Sequence, residues 1–159
     1  MPAMVVREFA EWLSERGGRL VAGATPPALD RSVEGVARPR RFIPRELDAL
    51  DAHDVVFATA DAFTDEAVIS LDALVSNLAE NGAALVVSGL PPRETAKDLA
   101  PYATADALAF PLFALPSGVD AGTLLRQLAD AVATRQVVAE RESREAQAAV
   151  ARARRQDDA

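Results

Sequence analysis

The chain has 159 residues, 17 Lys plus Arg against 24 Asp plus Glu, and a net charge of −7. Half of the residues are hydrophobic, which fits one soluble domain with a core and argues against disorder of the whole chain. Free nucleic-acid binding is disfavoured by the acidic balance, since phosphate backbones are held by clustered Lys and Arg. Cysteine is absent, which excludes disulfides, thiolate metal ligands and a Cys nucleophile, and His53 alone cannot build a multi-His zinc site.

Val5, Phe9, Trp12 and Leu13 recur at helical spacing before Gly17-Gly18, predicting a helix over 4–16. Arg19 to Gly23 reads as a short strand that ends before residue 25, with Pro26-Pro27 as the breaker. A second strand is expected within 29–37, then the basic turn Arg38-Pro39-Arg40-Arg41, then one or two helical turns over 45–52. Asp54 to Ala60 is a continuous apolar run fit for a buried strand. Leu71, Leu74, Val75 and Leu78 place a helix over 70–81, stopped by Asn81-Gly82. Ala84 to Gly89 is the next buried strand. A short helix is expected over 93–100, ended by Pro101. Leu108 to Leu115 is a third apolar run, which Pro111 makes short, bulged or an edge. Beyond Ser117-Gly118, Asp120 can cap a helix of about 30 residues that outruns a domain of this size. The order strand, helix, strand, helix, strand implies an α/β fold: a mostly parallel sheet of about 4–5 strands flanked by helices, with a long C-terminal helix.

Charge divides the chain in two. Residues 135–159 hold six Arg and five acids, about +1, which leaves about −8 on the rest. We therefore separate a domain over 1–134 from a charged helical tail or linker over 135–159. Leu124, Leu128 and Val132 form an apolar stripe on the helix and are the expected dimer contacts.

The common catalytic and nucleotide-binding motifs are missing, including phosphate loops, dinucleotide fingerprints and serine-nucleophile elbows. His53, between Asp51 and Asp54, reads as a surface-turn histidine. Asp61, Asp65 and Glu66 read as an acidic loop of an acidic domain, so no metal and no cofactor is expected. Ligands of open α/β sheets gather outside the carboxyl ends of the strands. That rule picks out Thr59, Asp61, Ser88 and Gly89, with Arg38 available to an anionic group. No apolar run reaches the length of a membrane span, and Met1-Pro2-Ala3-Met4 does not open a signal peptide, so a cytoplasmic location is expected.

Several short motifs occur in an order that resembles a known family. They are Leu20-Val21-Ala22-Gly23, Leu29-Asp30-Arg31-Ser32-Val33, the run Asp54 to Ala60, Asn81 to Val87, and Ala105-Asp106-Ala107-Leu108-Ala109-Phe110-Pro111-Leu112. Together they resemble, over residues 4–135, the N-terminal domain of PucR-type transcriptional regulators, named for purine catabolism. The family's middle strand usually ends Leu-Thr-Thr-Gly, where this chain has Phe57-Ala58-Thr59-Ala60, so a ligand contact that needs a bare backbone at residue 60 is not carried over. The Gly-Glu/Asp that precedes that strand is met only by Asp54. The resemblance implies a non-enzymatic regulatory domain that senses a small effector or mediates assembly as a homodimer. It also implies that DNA is contacted by a helix-turn-helix outside these 159 residues. The alternatives are a structural dimerisation module without ligand and a small α/β enzyme.

Overall fold

The computed structural model describes residues 4–39, 42, 44–63 and 69–157. Five strands form one sheet in the order β1-β5-β4-β3-β2. They are β1 (Arg19–Ala22), β2 (Gly35–Ala37), β3 (Asp54–Thr59), β4 (Ala84–Ser88) and β5 (Leu112–Leu115). The pairs β2–β3, β3–β4 and β4–β5 are parallel, and β1 closes the sheet antiparallel to β5. The helices are α1 (Val6–Ser14), α2 (Pro26–Leu29), α3 (Pro44–Leu47), α4 (Leu71–Asn81), α5 (Ala100–Ala107) and α6 (Ala121–Asp157). The expected fold class is the observed one.

The two-residue period of the strands sorts their side chains onto two cores. Val55 and Phe57 of β3, Val86 of β4, and Phe113 and Leu115 of β5 join Phe9 and Leu13 of α1 and Leu128 and Val132 of α6. Val56 and Ala58, Leu85 and Val87, and Leu112 face the other way, against Leu47 of α3, Leu74 and Leu78 of α4, and Tyr102 of α5. The connecting helices α3, α4 and α5 thus cover one face, while α1 and α6 cover the other. Phe9 anchors the second layer, with its ring edge-on to Phe113 at 5.1 Å between centroids.

Proline positions account for most departures from the sequence reading. Pro26 and Pro27 open α2 rather than simply ending β1, and this takes Leu29 out of the expected second strand, leaving only Gly35–Ala37. Pro101 does not stop a helix over 93–100. It lies in the first turn of α5, where a missing N–H costs nothing, and Asp98 Oδ1 accepts the Ala100 N–H at 3.0 Å. Pro111 stands just before β5, an interior strand, and its carbonyl accepts the Leu85 N–H at 3.0 Å. The register irregularity lies opposite, between Leu20 and Ala22 of β1.

Asp120 caps α6 as expected: its carboxylate accepts the Thr123 N–H at 3.3 Å and the Thr123 hydroxyl at 2.7 Å. The helix has 37 residues, about 55 Å at 1.5 Å per residue. Its attachment to the domain ends near Arg135, which pairs with Glu8 of α1, and Gln136, whose Nε2 donates to the Glu34 carbonyl at 2.8 Å. Every residue from Glu140 to Arg155 is exposed. Leu124, Leu128 and Val132, expected as dimer contacts, are only 6%, 0% and 2% exposed within their own chain. The sheet of the same protomer covers this stripe, so it cannot meet a second copy.

Candidate functional site

Strands β2, β3, β4 and β5 follow one another across the sheet in a single direction. Among the parallel strands the order therefore never reverses, and no reversal opens a crevice between the carboxyl ends of two of them. A pocket forms instead on the α4/α5 face, where the segments leaving β3 and β4 diverge toward the first turns of those helices. Its volume is about 450 Å³. Phe63, Leu71, Leu90, Pro101 and the ring of Tyr102 supply apolar walls, and Ser70, Thr95, Lys97 and Asp98 supply the polar groups.

Local sequence sets each part in place. Ser70 caps α4 by accepting the Ala73 N–H at 3.1 Å, which turns the chain into the pocket wall. Thr104 of α5 hydrogen-bonds Asp72 of α4 and ties the two helices together. Tyr102 is buried, its hydroxyl donates to the Pro91 carbonyl, and burial pushes its pKa up. The phenol is thus a neutral, committed donor that pins the loop after β4, not a general base at neutral pH.

The residues expected at the site are divided by the fold. Thr59 and Ser88 are register partners at the carboxyl ends of β3 and β4, and Gly89 follows with φ +83°. The pocket wall is built by their chain neighbours Ala60 and Leu90 rather than by these three. Arg38 is drawn to the other face, where its Nη1 lies 3.7 Å from the position a Cβ on Gly122 would take, at the first turn of α6. The Asp61 side chain, Asp65, Glu66, Arg40 and Arg41 lie outside the described residues. The sequence reading missed Phe63, Leu71, Leu90 and Tyr102. Tyr102 had a visible signal, as the only tyrosine of the chain, but the expected helix stopped at Pro101, just before it.

A second hollow, about 500 Å³, runs along the free edge of β1 beside α1. This edge is blunted from within. Arg93 Nη1 donates to the Val21 carbonyl at 3.4 Å, Arg93 Nη2 pairs with Asp106 at 2.7 Å, and Asp106 accepts the Gly23 N–H at 2.8 Å. The Val21 carbonyl and the Gly23 N–H, which could otherwise help template another strand, are therefore occupied. The Gly23 N–H, helped by Arg93, holds the Asp106 carboxyl below its ordinary value. A depressed carboxyl pKa stabilises the fold above the unfolded value near 3.8, and that contribution fades as pH falls through the lower folded value. We predict that Asp106→Asn costs about 1 kcal/mol at pH 7 and that the difference from wild type narrows toward pH 3. Urea unfolding across that range measures it, and a gap that stays constant with pH would contradict the assignment.

Neither the comparison with protein families nor that with curated proteins gives a match. Among the described residues, no helix is long and apolar enough to cross a membrane.

Proposed function

We propose that this chain is a regulatory module that binds a small, largely apolar effector in the pocket at the carboxyl ends of β3 and β4. The pocket itself carries this reading. Its walls are hydrocarbon, and its polar groups are the few needed to orient a ligand. The resemblance to PucR-type regulators supports the same class of function, with transcription as the output and DNA contact made outside this acidic chain. A route for the signal runs through Gly89: its N–H donates to the Leu115 carbonyl at 2.7 Å, and a Cβ at this glycine would lie 3.8 Å from that of Ser117. A ligand displacing the β4 loop would therefore push on the segment that leads into the Asp120 cap of α6. The exposed half of α6, with Val150 53% exposed, favours a second reading in which two copies associate along this tail.

Thermal denaturation against a panel of small metabolites tests the first reading. We expect at least one apolar-cored compound to raise the melting temperature, because a ligand that binds only the folded state stabilises it by mass action. Ala96→Trp, which fills the pocket from its rim, should weaken that ligand at least about tenfold while leaving the unliganded melting temperature nearly unchanged. If no compound acts, or if the substitution leaves binding intact, the pocket is not an effector site.

A further inference from the structure

At the opposite end of the sheet, Glu34, Asp51 and His53 converge, each offering a ligand atom, with all three atoms within 4.8 Å of one another. Glu34 precedes β2, while Asp51 and His53 precede β3. The parallel pairing of Gly35 with Asp54 is what brings the two segments side by side.

Both segments are fastened. The Glu34 N–H donates to the His53 carbonyl at 2.9 Å, and the Glu34 carbonyl accepts from Gln136 of α6. The His53 N–H donates to Asp51 Oδ1 at 3.0 Å. The imidazole is turned by a hydrogen bond of 3.2 Å between Nδ1 and the Ser32 hydroxyl, a contact from outside the triad of the kind that orients ligating histidines. The electrostatics point the same way. Two carboxylates are held close together, yet among the described residues neither forms a salt bridge with an Arg or Lys. A cation placed between them would relieve that repulsion.

We propose that Glu34, Asp51 and His53 bind a divalent first-row transition ion of the zinc or manganese class, with water completing its coordination. Zn–N and Zn–O bonds are about 2.0–2.2 Å, so two ligands on one ion stand roughly 3–4 Å apart, somewhat closer than the 4.8 Å within which the three atoms lie here. One imidazole with two carboxylates suits zinc or manganese, whereas magnesium favours an all-oxygen shell with retained waters. The ion would lock the entry of β2 to the entry of β3, at the loop whose Glu34 carbonyl Gln136 ties to α6. The site is separate from the effector pocket and stands or falls independently of it.

The test is calorimetric titration of the metal-stripped full chain with Zn2+, paired with thermal denaturation in Zn2+, Mn2+ or Mg2+. We expect one Zn2+ per chain at micromolar affinity, a raised melting temperature with Zn2+, and none with Mg2+. His53→Ala and Glu34→Gln should each weaken Zn2+ at least about tenfold, with unliganded melting temperatures near wild type. Glu80→Gln, an exposed acid beside His53 but outside the triad, should leave binding unchanged. Should His53→Ala fail to fold, Asp51→Asn serves in its place. Absence of Zn2+ binding, or binding that survives both triad substitutions, overturns the proposal.

Discussion

Gly23→Ala should lower the stability of this protein by about 3 kcal/mol or more, one of the largest effects of any single methyl group added to the chain. Gly23 follows β1 with φ +75°, in the left-handed region that an L side chain enters at a cost of about 1 kcal/mol. A Cβ there would stand 2.0 Å from the Phe110 carbonyl oxygen and 2.4 Å from its carbon. Both atoms are backbone, so relief requires moving β1 away from the turn before β5. That movement would also break the Gly23 N–H contact to Asp106, and with it the Arg93 brace over the β1 edge. For a domain of this size the loss corresponds to a fall of roughly 10 °C in melting temperature. Gly118→Ala is the control, because its Cβ would meet nothing within 4 Å, and it should stay within about 0.5 kcal/mol of wild type. Equal melting temperatures for the two variants would show that the backbone at Gly23 is freer than this packing allows.

Leu128→Ala should cost about 2–5 kcal/mol, the range for removing a fully buried leucine side chain. Leu128 lies in the core formed by α1, α6 and one face of the sheet, and a cavity there cannot be filled from solvent. Removing residues 138–159 should do much less to the domain, because every residue from Glu140 to Arg155 is exposed. Helical circular dichroism would fall while the unfolding free energy stays nearly constant. A dimer-contact role for Leu128 predicts the reverse pattern, with an intact fold and weaker self-association. Denaturant unfolding over a wide range of protein concentration, alongside sedimentation, separates the two: a loss of stability independent of concentration identifies a core residue.

The same stripe shows where sequence reasoning stops. Leu124, Leu128 and Val132 announce an amphipathic helix by their spacing, but an apolar face does not say what covers it. The sheet of the same chain covers these three, while the later turns of α6 are bare. Strands β3 and β4 were readable almost to the residue, because continuous runs of Val, Leu, Phe and Ala between turn residues have few other uses. Helix α4 was equally readable, since its apolar period and its Asn81-Gly82 end agree with one another. Pro26 and Pro27 do follow the end of β1, and Pro101 was read as the end of a helix, but all three stand in the first turn of one, because proline both breaks a preceding element and fits a helix start. The choice depends on partners such as Asp98 for the open N–H groups.

Sequence by itself determined the α/β class, the central strands, the long capped helix at the C-terminal end and the acidic charge balance. These follow from local periodicity, turn chemistry and summed charge, which need no knowledge of distant partners. Only the tertiary structure decided that the pocket wall is Ala60 and Leu90 rather than Thr59 and Ser88, and that Arg38 lies on the other face of the sheet. It alone set Gly23 against Asp106 and Glu34 against His53. Those meetings depend on strand order and register, which pair residues far apart in the chain through contacts that no local pattern encodes.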